Sequence, residues 1–135
     1  MEPYSQSIGR FVNDLKLADV PPAVIEKAKL VFLDILGIAL ASSTMDFGPM
    51  VTRVAQKLGG APDSLLIGTS SRVAAANAVI ANSTLAHGLD YDDTLEEAIV
   101  HTGCCAGITA LAVGEEVGAS GAAVLEAAIA GAEVL

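Results

Sequence analysis

The chain has 135 residues, of which 16 are acidic and 7 are basic, so its net charge is −9. No cluster of lysines or arginines is present to neutralise successive phosphates, and we expect no nucleic-acid partner. Although the mean hydropathy is +0.57, charged residues interrupt each long apolar run, so we predict no membrane-spanning helix and no membrane partner. The first residues lack the basic and apolar regions of a signal peptide, which makes a cytoplasmic location the default expectation.

The composition favours helices packed closely together. Apolar residues make up 53% of the chain, but it has only two tyrosines, three phenylalanines and no tryptophan. A core built from small aliphatic side chains lets helices approach one another, and alanine has the highest helix propensity. A chain of this length usually forms one domain. We therefore predict a single all-α domain over residues 1–135.

Hydrophobic periodicity and turn residues place about six helices along the chain. The predicted helices cover residues 5–17, 23–41, 48–58, 72–87, 104–117 and 121–135. The helix over 23–41 becomes apolar on all sides, and we expect it to be the most buried element. Gly59-Gly60 should end the third helix, and Ser120 should cap the last one. Residues 64–68 form the one predicted strand.

The last predicted helix has no terminating signal. Its final residues include neither a glycine or asparagine after the last turn nor a basic residue within it. We therefore expect the chain to be the N-terminal piece of something longer, or a fragment that borrows a partner surface.

Residues 81–103 concentrate the polar chemistry of an otherwise aliphatic sequence. On one continuous helix, Asp90, Thr94 and His101 would fall within about 40° of one another, since an α-helix has about 3.6 residues per turn. Such a face could meet a substrate. The alternative is that the aspartates cap and solvate a helix end while the histidines are satisfied core or surface groups.

Two patterns in this region suggest a metal-binding site. The Asp92-Asp93 pair followed by Glu96 resembles a magnesium motif, but no second acidic motif or basic cluster accompanies it. Cys104 and Cys105 are adjacent, whereas zinc sites usually space their cysteines by two to four residues. We therefore predict no metal site, and both cysteines should be small core residues in a reducing compartment.

Acid–base chemistry without a metal is the interpretation we favour. His101 can exchange a proton near neutral pH, while Asp90 and Thr94 could orient a hydroxyl or carboxyl group of the substrate. All lysines and arginines lie at Arg72 or earlier in the sequence. An acidic substrate would therefore need cationic groups from distant sequence, from helix N-termini or from a missing region.

At these residues the sequence resembles the MmgE/PrpD family, which includes 2-methylcitrate dehydratase, cis-aconitate decarboxylase and iminodisuccinate epimerase. Residues 81–94 match the family pattern AN(G/S)xxxHxLDFDDT, with Tyr91 in place of phenylalanine. Two weaker features support the match. They are the helix over 26–37, similar to the family's DxxG helix, and the segment 120–133, similar to its SG…GxE pattern.

The resemblance implies a helical N-terminal domain joined to further helices and a smaller α+β lid domain. It also implies cofactor-free chemistry on small di- or tricarboxylates, and a homodimer. Residue by residue, the family's active-site aspartate falls on Asp90, its threonine on Thr94 and the histidine of its HP motif on His101. We further predict His87 and Asp93 as substrate-binding residues, the alternative for Asp93 being that it caps the helix or holds the loop.

Two departures from the family pattern stand out. Threonine follows His101 where the family usually has proline, so the loop need not take the same shape. The family's catalytic lysine and second histidine lie beyond the end of this chain. The resemblance implies a lyase similar to 2-methylcitrate dehydratase, here supplying part of the active site. The alternative is a non-catalytic helical module for dimerisation or binding. Dehydration, decarboxylation and epimerisation all stay open.

Overall fold

The computed structural model describes residues 2–135 and contains six α-helices and a short β-hairpin. The elements are α1 (Tyr4–Asp14), α2 (Pro22–Ser43), α3 (Gly48–Leu58), β1 (Ser64–Leu65), β2 (Arg72–Val73), α4 (Ala75–His87), α5 (Ile108–Val117) and α6 (Gly121–Val134). A 3₁₀ turn, Leu17–Asp19, precedes α2, and a π-helical turn, Gly103–Gly107, leads into α5. The predicted helical class is confirmed.

Local signals set several helix ends as predicted. Gly59 ends α3 with a φ of 64°, a conformation that glycine adopts without steric cost. The Ser120 hydroxyl oxygen accepts a hydrogen bond from the Ala123 backbone N–H at 3.2 Å, which caps the N-terminus of α6. A proline at the first position of α2 is likewise compatible with a helix start.

The predicted start of α4 at residue 72 is wrong. Arg72 and Val73 instead form β2, which pairs antiparallel with β1 in the register Ser64 to Val73 and Leu65 to Arg72. Val73 is buried, and the Arg72 guanidinium donates to the backbone carbonyls of Pro62 and Asp63. These contacts hold the pair extended, so the helix begins at Ala75.

The most buried helix is α4, and the expectation that α2 would hold this place is wrong. Six of the 13 residues of α4 are buried, against four of the 22 residues of α2. Leu33 in α2 is 71% exposed. The alanines of α4 allow α2, α3 and α5 to pack against it, because their small side chains permit close approach. The helix that carries the polar stretch at its end is therefore firmly held.

The core has three clusters. The one nearest the polar stretch joins α2, α4 and the start of α5, and its buried members are Ile35, Ala39, Ile67, Leu85, Ala86, Cys104 and Ile108. A second cluster joins the hairpin to α3, α4 and α5, and a third places Val20 against Leu125 and Ile129 of α6. Within residues 2–135, no helix combines the length and the hydropathy needed to cross a membrane.

Candidate active site

The chain between His87 and His101 forms turns and irregular loop rather than a helix. The single helical face considered for Asp90, Thr94 and His101 therefore does not exist. The loop folds back on itself instead, with a bridge between Leu95 and Val100. This fold brings His101 close to the end of α4, so the polar side chains still meet, by a different geometry.

Asp92 lies at the centre of these side chains. Its side chain is fully buried, and its Oδ1 atom lies 3.0 Å from Nδ1 of His87 and 3.3 Å from Nδ1 of His101. The two imidazole rings are therefore close together, with their centroids 4.6 Å apart and their planes inclined at 59°. Oδ2 of Asp92 is buried without a hydrogen-bond partner within residues 2–135. The sequence did not predict this central position, because Asp92 was expected either in a magnesium motif or among the aspartates that cap and solvate a helix end.

Asp90 lies at the open side of the cluster. Its side chain is 83% exposed, and its Oδ1 atom is 3.9 Å from Nε2 of His87. The backbone at Asp90 has a φ of 54°, a left-handed conformation in which aspartate is enriched but most residues are rare. His87 thus stands between two carboxylates, with Nδ1 toward Asp92 and Nε2 toward Asp90.

Thr94 borders the same space. Its hydroxyl donates to the backbone carbonyl of Asp92 at 3.2 Å, and Oγ1 lies 3.4 Å from Nδ1 of His101. The side chain of His101 is 24% exposed, so the ring is partly accessible from solvent. The four side chains are therefore brought together in one partly exposed cluster, which contains His87, Asp90, Thr94 and His101.

Asp93 faces away from the histidines. Both of its carboxylate oxygens lie 3.0 Å from the backbone N–H of Gly103, and Oδ2 accepts from the Thr102 hydroxyl at 2.7 Å. These bonds satisfy free donors at the start of the π-helical turn. The carboxylate therefore holds the loop, as the alternative for Asp93 supposed. Binding of substrate by Asp93 stays a prediction.

Asn82 anchors the helix that carries the site. Its Oδ1 atom accepts from the Ile67 backbone N–H at 2.9 Å, and its Nδ2 atom donates to the Leu65 carbonyl at 2.8 Å. The side chain is buried, so the two bonds join α4 to the segment after β1 within the core. The asparagine at the beginning of the polar stretch is thus structural.

Two sets of side chains have the donor atoms to hold a metal ion. They are His87, Asp92 and Cys104, and His87, Asp90 and His101; within each set, the candidate ligand atoms lie within 4.8 Å of one another. Burial raises the pKa of the Cys104 thiol, and the neighbouring Cys105 and Asp92 raise it further. Because metals bind the thiolate, the raised pKa disfavours the first set. Cys104 is buried as predicted, but the prediction that Cys105 is also a core residue is wrong, because Cys105 is exposed.

The cluster is acidic. Within residues 2–135, each of its ion pairs joins a histidine to an aspartate. The Arg72 guanidinium pairs elsewhere, with Glu115 at 3.4 Å. The local field therefore disfavours anions, unless cationic groups are added from other parts of the protein.

Comparison of the sequence with curated proteins and with solved structures gave no match. Against protein-family models, the MmgE/PrpD N-terminal domain matches residues 6–135. The match contains the polar stretch from Ala81 to Thr94, His101 and the last helix, and it confirms both the suspected family and the suspected part of it. The chain belongs to the MmgE/PrpD family, and residues 6–135 match the N-terminal domain of that family.

Proposed function

We propose that the protein is a cofactor-independent lyase that acts on a small di- or tricarboxylate, in the manner of 2-methylcitrate dehydratase. The observation that carries the proposal is the position of His101. Its ring lies against the buried carboxylate of Asp92 and beside the Thr94 hydroxyl, in the motif that the family match covers. A partly exposed imidazole beside a buried carboxylate is suited to proton transfer.

In a dehydration, a proton leaves one carbon and hydroxide leaves the adjacent carbon, so that a double bond and water form. We assign protonation of the leaving hydroxyl to the imidazolium form of His101, which gives up its Nε2 proton and keeps its Nδ1 proton toward Asp92. Asp90, whose side chain is exposed, takes the proton from the carbon next to a substrate carboxylate. Thr94 turns its hydroxyl proton from the backbone carbonyl of Asp92 to a substrate carboxylate. Two opposite proton transfers then leave the charge balanced.

The acidic character of the cluster sets a further requirement. An anionic substrate is repelled by Asp90 and Asp92 unless positive groups face it. We therefore propose that cationic residues from outside this cluster complete the site. The family resemblance implies a lysine and a second histidine for this role. We also propose a homodimer, which the resemblance implies as well.

The test is a screen of small hydroxylated di- and tricarboxylates, with proton NMR to follow the appearance of vinyl signals. We expect turnover of at least one compound, and its loss by about 10²-fold or more in His101→Ala and Asp90→Asn. Tyr91→Phe is the matched control, since Tyr91 is exposed and the family pattern has phenylalanine there. Undiminished turnover in His101→Ala would remove that residue from the mechanism.

One observation favours the alternative of a non-catalytic helical module. A groove of about 690 Å³ runs between α5 and α6 and is lined mainly by alanine, glycine and valine residues. Val117 on its rim is 68% exposed. In this alternative a second copy of the chain covers the groove. Dimerisation that Val117→Asp abolishes, together with no turnover of any compound in the screen, would favour the module over the enzyme.

A further inference from the structure

We propose that Asp92 is a positioning residue that fixes the tautomer and the orientation of His87 and His101. Its carboxylate holds both rings with the Nδ1 proton directed inward, which leaves the Nε2 atoms directed outward. The catalytic consequence rests on the lyase function proposed above, whereas the tautomers themselves can be measured without any substrate.

The argument begins with the donor and acceptor atoms. An ionised carboxylate can only accept hydrogen bonds, so an imidazole nitrogen at hydrogen-bond distance from it must carry the proton. Nδ1 of His87 is 3.0 Å and Nδ1 of His101 is 3.3 Å from the same oxygen of Asp92. An unprotonated Nδ1 would place its lone pair against that oxygen. The geometry therefore selects the Nδ1–H form of both rings.

Burial strengthens this selection. The Asp92 side chain has no exposed surface, and a buried carboxylate is costly unless hydrogen-bond donors compensate for the lost water. Within residues 2–135, Nδ1 of His87 is hydrogen-bonded to its Oδ1 atom, and Nδ1 of His101 lies 3.3 Å from the same atom. The Cys104 thiol also interacts with the carboxylate. Rotation of the His87 ring away from Asp92 would break its hydrogen bond, and rotation of the His101 ring would remove a second N–H group from the carboxylate. The position of each ring is thus favoured by the need of the buried carboxylate for donors.

The neighbouring carboxylate does not share this task. Asp93 is bound to the Gly103 backbone and to the Thr102 hydroxyl, so it holds the C-terminal end of the loop. Asp92 is therefore the carboxylate of the pair that is available to the histidines. The two adjacent aspartates have separate tasks, of which one concerns the backbone and the other concerns the imidazole rings.

Asp92 also orients the outward side of both rings. With its Nδ1 atom toward Asp92, His87 has its Nε2 atom 3.9 Å from Oδ1 of Asp90, a distance too long for a hydrogen bond. With its Nδ1 atom near the same oxygen of Asp92, His101 has its own Nε2 atom directed away from Asp92. The buried carboxylate therefore orients the ring to which the proposed mechanism assigns protonation of the leaving hydroxyl.

The first experiment measures the ring ¹⁵N shifts of both histidines in the protein, with a chelator present and at a pH where the imidazoles are neutral. The 135-residue chain has two histidines, and His87→Gln assigns the signals. We expect Nδ1 of both rings in the protonated range and Nε2 in the unprotonated range. An Nε2–H tautomer for His101 would overturn the proposal. A tautomer that depends on whether the chelator is present would also overturn it, in favour of metal coordination.

The second experiment uses Asp92→Ala, with Glu96→Ala as the control because Glu96 is an exposed carboxylate of the same loop. We expect the His101 Nδ1 signal to move to the unprotonated range in Asp92→Ala and to stay in place in Glu96→Ala. Unchanged tautomers in a folded Asp92→Ala protein would contradict the proposal. If that variant does not fold, the wild-type shifts decide alone.

The two proposals can fail separately. Nδ1–H tautomers without turnover in the substrate screen would support the role of Asp92 and count against the lyase. With an active protein, we expect Asp92→Ala to lower kcat by about 10²-fold while KM changes by less than about threefold, because proton transfer rather than binding is affected. A change confined to KM would overturn the positioning role.

Discussion

The Nδ1 atom of His101 lies 3.3 Å from Oδ1 of Asp92, the same oxygen that lies 3.0 Å from Nδ1 of His87. This contact brings the far end of the loop back to the end of α4. The loop is closed a second time by the bonds from Thr102 and Gly103 to Asp93. Two adjacent aspartates thus close the loop. Asp92 contacts the two histidine side chains, and Asp93 binds the Gly103 backbone and the Thr102 hydroxyl.

We predict that Asp93→Ala lowers the free energy of unfolding by about 1–3 kcal/mol, because the Gly103 N–H and the Thr102 hydroxyl lose their acceptor. Urea denaturation followed by circular dichroism measures the change. Glu97→Ala, which removes an exposed carboxylate of the same loop, should stay within about 0.5 kcal/mol of wild type. Equal stability of the two variants would show that the hydrogen bonds to the Asp93 carboxylate do not stabilise the fold.

We predict that Gly103→Ala is destabilising by about 1–3 kcal/mol, because its new methyl group has no room. A Cβ atom at this position would lie 2.7 Å from Cγ1 of Val31 and 2.8 Å from Cγ2 of Ile35, and it would also collide with Asp93. Thermal or urea unfolding tests this prediction.

Gly37→Ala is the matched control for Gly103→Ala. Gly37 lies within α2, and a Cβ atom there meets nothing within 4 Å. Alanine should therefore stabilise the helix by about 0.5–1 kcal/mol. If both substitutions changed the free energy of unfolding in the same direction, the close packing of α2 against the π-helical turn would not explain the glycine at position 103.

We predict that Asn82→Ala costs at least about 2 kcal/mol, since it leaves the Ile67 N–H and the Leu65 carbonyl without their partner in the core. Hydrogen exchange at the Ile67 amide should become faster than in wild type. Asn13→Ala, which removes an exposed asparagine of α1, should change neither quantity. Unaltered exchange at Ile67 in Asn82→Ala would contradict the assigned bond.

We predict that stability falls at alkaline pH because of Cys104. Its thiol has a pKa raised by burial, then by Cys105 and Asp92, so the folded state keeps the thiol proton that the unfolded state releases above its ordinary pKa of 9.0. The unfolded state then binds fewer protons, and the free energy of unfolding decreases as the pH rises above about 9. The contribution is fully present below that pH.

Urea unfolding at a series of pH values between about 7 and 10.5 measures this loss. Cys104→Ala should lose less stability over that interval than wild type, whereas Cys105→Ala should keep most of the loss, because burial is the largest cause and Cys105 is exposed. Identical pH profiles for wild type and Cys104→Ala would contradict the prediction.

Much of the fold could be predicted from the sequence because the signals are local. Hydrophobic periodicity indicated six helices, and the ends at Gly59 and Ser120 follow from backbone freedom and from side-chain capping. The end of α4 at His87 was also predicted. The motif over 81–94 pointed to the family that the comparison confirmed.

Other features depended on contacts between distant residues. Arg72 and Val73 are extended because β1 pairs with them, although the following alanines favour a helix. Helix α2 is the more apolar along its length, yet α4 is more buried, since burial depends on which neighbours surround a helix. Neither outcome follows from a window of ten or twenty residues.

For the site, the residue types and their spacing establish which chemical groups are present and that they lie within one short stretch. The folded structure is needed to see that Asp92 lies under the two histidines, that Asp93 binds the backbone, and that Asp90 is exposed to solvent. Adjacent residues in a loop point in different directions according to backbone angles such as the φ of 54° at Asp90. Those angles are set by how the loop closes, and residue types and spacing leave that closure open.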